Sequence, residues 1–278
     1  MLTDDIFVIK SDGSRERFSF EKLERSLRHA GASEALAKEV SVHVQNEAVG
    51  NMSTYDIYRH AFEVLRKQSH QTATRYSLRR ALLALGPTGF PFERFIGEIL
   101  KRRGYQVLIG QIIRGHCAEH EVDVVAWNAQ KLVMAEAKFH HELGYKSDLK
   151  VALYVKARFD DLQKGVYSFG GRKKLDEGWL ITNTKFTERA ISYSECAGVH
   201  LLGWNYPRTE NLHHLIEETG LHPITSLTSL SEKEKQLLLA QGIVLCDNIR
   251  TETDKIRSLG FSKEVLERAI SESNILCP

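Results

Sequence analysis

The 278-residue chain lacks the features that mark several large classes of protein. Its four cysteines, Cys117, Cys196, Cys246 and Cys277, lie far apart and form no C-x-x-C pair. That spacing argues against a zinc ribbon or a redox motif, and reduced, mostly buried thiols are the expectation. With 5 prolines and no low-complexity tract, disordered and fibrous compositions are excluded, and no internal repeat points to a solenoid. No run approaches the ~18 apolar residues of a membrane span. Met1-Leu2-Thr3-Asp4-Asp5 has no basic segment followed by an apolar one, so no membrane partner and a cytoplasmic location are expected. A charge imbalance is missing too: 38 Lys and Arg face 36 Asp and Glu, a formal +2. Any anion-binding surface must therefore be local, as at Lys101-Arg102-Arg103 or Arg172-Lys173-Lys174. The absence of G-x-x-x-x-G-K-[ST] excludes a P-loop motor.

What is present is a sequence whose period changes along its length. Ile6 to Lys10 and Arg15 to Phe18 flank Ser11-Asp12-Gly13-Ser14, and Asp-Gly supplies the residues a tight hairpin needs. From Ser19, a candidate cap, Leu23, Leu27 and Ala30 recur at helical spacing. Further helices are expected at about Glu34 to Ala48, Thr54 to Lys67 with Ser53 or Thr54 as cap, and Thr72 to Leu85.

The run Val8-Ile9-Lys10-Ser11-Asp12-Gly13, then Arg17-Phe18, Lys22-Leu23 and Ser53-Thr54-Tyr55-Asp56-Ile57, resembles the ATP-cone of ribonucleotide reductases and certain transcriptional repressors. The resemblance covers about residues 5 to 86. It implies a hairpin lid over helices that hold ATP or dATP as effector, with Lys10, Glu16, Ser19 and Lys22 near the phosphates and Thr54 and Tyr58 on the base side. Two departures stand out: Ser11 replaces the usual arginine, and Tyr58 stands where some cones have histidine.

Gly86-Pro87-Thr88-Gly89-Phe90-Pro91 interrupts the helical pattern and marks a boundary. Phe92, Phe95, Ile96, Ile99 and Leu100 then share one face of an amphipathic helix. Strands follow at Gln106 to Arg114, Glu121 to Trp127 and Leu132 to Phe139, a helix from Asp148 to Lys164, a strand at Gly178 to Thr182, a helix around Lys185 to Cys196 and a strand at Val199 to Gly203. This order implies a mixed sheet covered on both faces.

If Glu121 to Trp127 and Leu132 to Phe139 pair around the four-residue loop Asn128-Ala129-Gln130-Lys131, Trp127 lies opposite Leu132 and Asp123 opposite Glu136. Strand alternation then places Glu121 and Lys138 on the same face. The reverse face collects Val122, Val124, Ala126, Val133, Ala135, Ala137 and Phe139, all apolar, and is assigned to the core. Carboxylates gathered on a buried sheet are costly unless neutralised, and Mg²⁺ or Mn²⁺ held by Asp123 and Glu136 would neutralise them. Lys138 would act beside that ion. No pair among His116, His120, His140 and His141 has zinc spacing, and Lys150, Lys156 and Arg158 are candidates for phosphate contacts.

Asp123 followed by Glu136-Ala137-Lys138 is the D…E-x-K pattern of PD-(D/E)xK nucleases. With Gly104-Tyr105-Gln106-Val107, His120 to Ala126 and Thr182 to Thr187, the stretch from Phe92 to Trp204 resembles restriction-endonuclease-like domains of the Mrr and Holliday-junction-resolvase type. The resemblance implies hydrolysis of phosphodiester bonds in DNA and assigns catalytic roles to Asp123, Glu136, Lys138 and Glu93, while Glu121, on their face of the hairpin, is a catalytic candidate as a metal-shell or a supporting residue. Glu136 stands where Mrr proteins usually carry glutamine.

The last segment reads as helical, with caps at Ser231 and Ser262, a helix from Glu232 to Gln241 and a final one ending near Ser271. The expected fold is α+β multidomain: a β-hairpin with a helical bundle over 1–88, a mixed sheet flanked by helices over 89–210, and a small helical domain over 221–278. The leading functional expectation is a nucleotide-regulated DNA endonuclease that forms a homo-oligomer. A non-catalytic nucleotide-responsive regulator and a ribonucleotide-reductase-associated factor are the alternatives.

Overall fold

Strands β1 (Phe7–Ile9) and β2 (Arg15–Arg17) pair antiparallel with Val8 opposite Glu16, and Gly13, at φ 79°, supplies a left-handed residue to the turn. The structure, a computed structural model, describes residues 6–10, 13–47, 52–142 and 144–277, with only the backbone of residues 70 and 71. Ser11 and Asp12 of the expected turn lie outside the described residues. The chain divides into two compact units, 1–80 and 81–278.

In the first unit the hairpin is followed by α1 (Phe20–His29), α2 (Glu34–Glu47), α3 (Thr54–Gln68) and α4 (His70–Leu83), which carries the unit boundary. Leu23 and Leu27 of α1, Ala37, Val40 and Val44 of α2, and Ile57, Ala61 and Leu65 of α3 are buried together with Val8. Their spacing of three and four residues is what places them on core-facing stripes. Ser19 caps α1 by accepting from Lys22 N, and Ser53 caps α3 in a reciprocal box with Asp56. Such caps contribute about 1 kcal/mol each.

In the second unit α5 (Phe90–Arg102) precedes β3 (Gln106–Arg114), β4 (Glu119–Trp127) and β5 (Leu132–Lys138), an antiparallel meander. After β6 (Lys146–Ser147) come α6 (Leu149–Gln163), β7 (Glu177–Thr182), β8 (Lys185–Phe186), α7 (Glu188–Ala197) and β9 (Val199–Leu202). The sheet order is β3-β4-β5-β7-β9, with β7 and β9 parallel to β5 and to each other. The expected loop fixes the register: Asn128 Oδ1 accepts from the N–H groups of Gln130 and Lys131, both at 2.9 Å, and Trp127 lies opposite Leu132. One face packs Val125, Leu132 and Met134 against Ala152, Val155, Phe159 and Leu162 of α6. On α5 a Cβ at Gly97 would stand 2.8 Å from Ile109 Cδ1, so glycine there permits close approach of helix and strand. The chain ends with α8 (Leu212–Thr219), α9 (Glu232–Ala240), α10 (Asn248–Thr251), α11 (Thr253–Ser258) and α12 (Lys263–Leu276). Ser231 and Ser262 cap α9 and α12.

Several expectations need correction. Lys185–Phe186 is a strand paired with Lys146–Ser147, and α7 begins only at Glu188 behind the Thr187 cap, because two-residue strands leave no periodic signature. The last helix continues to Leu276. Cys246 and Cys277 form a disulfide, and Cys117 and Cys196 are exposed rather than buried. Sequence spacing gave no hint that the segments after Leu245 and Leu276 would meet. Val122 joins the cluster of Val125, Ile113 and Phe159 instead of the opposite face, so strict alternation fails between Val122 and Val125. Among the described residues no helix is long and apolar enough to cross a membrane.

Candidate active site

The break in alternation falls at Asp123, and the ladder between β4 and β5 has its last pair at Val124 and Ala135. Beyond it the N–H of Ala137 needs another acceptor, and Asp123 Oδ2 takes it at 2.7 Å. Gly110, at φ 61°, sits on β3 between the pairs Ile109–Val124 and Gln111–Val122, where neither it nor Asp123 belongs to the paired register. Only glycine adopts this left-handed conformation without strain, at the position across from Asp123.

Glu136 is 6% exposed yet ionically satisfied. Lys138 Nζ donates to its Oε1 at 2.5 Å, and the Arg158 guanidinium from α6 pairs with its other oxygen while also donating to the Glu121 carbonyl. A carboxylate this buried would be strongly destabilising without such partners. Arg158 was foreseen only as a phosphate contact; nothing in the spacing from Glu136 to Arg158 marks the pair.

Glu93, Glu121, Asp123, Glu136 and Lys138 line one open cleft of about 480 Å³ with His120, Tyr154 and Arg158. Burial, reinforced by the charges of Asp123, Glu121 and Glu136, pushes the Glu93 carboxyl up to about 7. Burial and the neighbouring Glu136 push Asp123 up to about 6, against the opposing bond from Ala137. The Glu93 and Asp123 carboxyls are thus raised first by burial and then by their neighbours' charge, and a bound cation would favour their ionised forms.

Among the described residues no group of three His, Cys, Asp or Glu stands ready to hold a metal. The donors nevertheless fit a hard divalent ion, because Mg²⁺ commonly takes one or two carboxylates and completes its shell with water and phosphate oxygens. Asp123 and Glu136 are two such carboxylates lining one cleft, with Asp123 bonded to the Ala137 N–H and Glu136 to Lys138 and Arg158. His120 does not add to them: its Nε2 lies 2.8 Å from Asp161 Oδ2, and Asp161 also accepts from Cys117 N at 2.7 Å. The sequence reading missed this clamp between the β3–β4 turn and α6. His140 bonds to Ser147 Oγ at 3.0 Å, and burial, followed by the charge of Lys138, lowers it to about 4.

The cone residues gather at two places within the first unit. Glu16 pairs with both Lys10 and Lys22, whose ammonium groups hold its carboxyl down to about 2. Ser19, between them and α1, donates to Glu21 at 2.9 Å. Thr54 opens α3, and Tyr58 on the same helix stacks on Tyr76 at 5.3 Å under the Arg80 guanidinium at 4.0 Å. Burial pushes the Tyr58 hydroxyl up to about 12. Ile9 N donates to Met52 O at 2.9 Å, fastening β1 beside the start of α3. Arg80 had no role in the sequence reading.

Comparison with known proteins divides the chain in the same order. Residues 6–83 match the ATP cone domain, 86–205 the restriction endonuclease domain, and 222–277 the AF1548-like C-terminal domain. An uncharacterised protein of Archaeoglobus fulgidus is 36% identical over 179 residues, spanning 64% of this chain and 97% of that protein. The crystal structure of the protein of unknown function AF1548 is 32% identical with a TM-score of 0.57, covering 67% of this chain and 97% of that one. The MspJI restriction endonuclease bound to a 27-mer oligonucleotide is similar only at 14% identity and a TM-score of 0.37, covering 62% and 36% of the two chains.

Proposed function

The chain belongs to the AF1548-like family, with an ATP cone and a restriction-endonuclease domain ahead of the C-terminal domain, and from this we propose that it is a metal-dependent DNA nuclease regulated by an adenine nucleotide. The observation that carries the reading is the convergence of Asp123, Glu136, Glu93 and Lys138 in one cleft. Asp123 and Glu136 would hold Mg²⁺ or Mn²⁺, which when bound polarises the phosphodiester and acidifies a water.

Lys138 would orient the attacking water or neutralise charge building on the phosphate. For it to do so, its bond to Glu136 must loosen, and Arg158 keeps that carboxylate paired meanwhile. Glu93 holds a proton near neutrality and borders the same space, which suits it to exchange protons there. Glu121 supports the site through its carbonyl bond to Arg158 and its charge near Glu93.

ATP or dATP would bind the cone through Lys10 and Lys22 at the phosphates, with Glu16 and Ser19 arranging them and Thr54 and Tyr58 facing the base. The deciding experiment incubates purified protein with plasmid, branched DNA and RNA plus Mg²⁺ or Mn²⁺, with and without ATP and dATP. Metal-dependent cutting of DNA that disappears in Asp123→Ala and Glu136→Ala supports the reading. Absence of cutting under every condition rejects it.

A further inference from the structure

The cleft is bordered by side chains that no metal site requires. Tyr154 lines it from α6 and is 58% exposed. Ile112 on β3 lies directly across the ladder from the cleft residue Glu121 and is 65% exposed. Directly opposed residues of an antiparallel pair share a face, with Cβ atoms about 5 Å apart. Nearby, a Cβ on Gly110 would meet nothing within 4 Å, so the strand leaves that approach open.

Single exposed apolar residues are ordinary, but here one lines the charged cleft and the other pairs across the ladder with a residue that does. Cations interleave with them. The Arg158 guanidinium lies 5.6 Å from the centre of the Tyr154 ring, and Lys150 is exposed one turn earlier on α6. Positions 150, 154 and 158 follow one helix face, giving cation, ring, cation.

A ligand matching this surface alternates flat apolar faces with phosphates. DNA does so only where bases have left the stack: an intact duplex hides its base faces and presents phosphates and groove edges. Resting on the nuclease reading above, we propose that Tyr154 and Ile112 receive unstacked bases beside the scissile phosphate, so that the substrate is single-stranded or locally opened DNA. The ring stacks on one base with Arg158, held by Glu136, behind it, Lys150 meets the backbone, and Ile112 packs against the neighbouring nucleotide.

Two measurements separate this inference from the nuclease reading. In the first, forked or gapped DNA is cut at least about tenfold faster than the same sequence as continuous duplex, the scale of one base–aromatic stack. Tyr154→Ala and Ile112→Ser bring that ratio toward one, whereas Tyr154→Trp preserves it. In the second, the fluorescence of 2-aminopurine in a short single strand is quenched on binding to Asp123→Asn protein, and adding Tyr154→Ala removes the quenching.

Equal cutting of open and continuous DNA, or quenching that survives Tyr154→Ala, overturns the inference while leaving the nuclease reading intact. No cutting of any DNA with the Tyr154-dependent quench retained overturns the nuclease reading and upholds the stacking. A change of molecular mass in Tyr154→Ala with unaltered quenching would assign the face to a second copy of the chain and also overturn the inference.

Discussion

The N–H of Ala137 donates to Asp123 Oδ2 at 2.7 Å, just past the last pair of the β4–β5 ladder. Because Ala137 separates Glu136 from Lys138, that bond sets one proposed metal carboxylate against the other and against the lysine. Asp123→Asn can keep an oxygen on the Ala137 N–H while removing the charge, whereas Asp123→Ala loses both. We predict that each lowers cleavage by a factor of 10² or more, as does Lys138→Ala, on the order of losing one transition-state donor. At pH 5, where the Asp123 carboxyl is protonated, Asp123→Asn should melt within about 1 kcal/mol of the parent. Parental cutting rates in Asp123→Asn would remove Asp123 from the chemistry.

The two raised carboxyls give the metal-free protein a pH dependence of definite sign. Asp123 at about 6 and Glu93 at about 7 bind protons more tightly when folded. Their contribution is complete below the ordinary carboxylate range and lost as pH rises through those values. In chelator, the parent should melt lower at pH 8 than at pH 5, and Asp123→Asn should flatten the difference. The Asp123 contribution is at most about 3 kcal/mol, and that of partly exposed Glu93 is smaller after solvent screening. Mg²⁺ should restore the melting temperature at pH 8 in the parent but not in Asp123→Asn. A parent whose melting is indifferent to both pH and Mg²⁺ would contradict the charge crowding.

Arg158 should matter to stability as well as to substrate. Its removal leaves buried Glu136 with Lys138 as its remaining ionic partner. Breaking a fully buried pair costs about 3–5 kcal/mol, and the retained lysine should reduce this to about 2. Urea unfolding of Arg158→Ala, Glu136→Gln and the double variant forms a cycle in which the double loses less than the sum of the singles. Strict additivity would mean that the pair contributes nothing.

Much of this site was legible because the Asn128 loop and the alternation of apolar residues dictate one register, which brings Asp123, Glu136 and Lys138 together. Glu93 followed only from the resemblance to restriction-endonuclease-like domains, whose first helix carries an acidic residue. The break in alternation near Asp123 was less accessible: its one visible sign is a glycine, Gly110, in the middle of β3. The Arg158–Glu136 pair, the Asp161 clamp on His120 and the Cys246–Cys277 bond each join distant segments, and only the packing of α6 or α12 creates them. Periodicity reports which face a residue takes, not which distant helix will cover it.

In the cone, Glu16 competes with any phosphate for Lys10 and Lys22. Glu16→Gln frees both ammonium groups and should tighten triphosphate binding modestly, since exposed ion pairs are weak, while Lys10→Ala and Lys22→Ala weaken it. Calorimetry with ATP, dATP and ADP reads all three. Weaker binding in Glu16→Gln would instead make the carboxylate an organiser of the lid, and no heat with any nucleotide would leave the cone as a docking module.

The final prediction joins the two activities: nucleotide alters cutting by changing assembly. A nuclease that severs both strands commonly needs two sites, and a cone whose surface depends on its ligand can bias two oligomeric states of unequal activity. The bias is limited by how differently those states bind the nucleotide. A tenfold preference is about 1.4 kcal/mol, enough to tilt a balanced equilibrium but not to reverse a strongly biased one. Light scattering and cleavage should therefore change together over one range of ATP or dATP concentration, and Lys10→Ala should shift both to higher concentration. Cleavage that responds while mass stays constant would place the coupling within one protomer. If neither responds at saturation, the cone does not govern the cleft, whatever the cleft itself cuts.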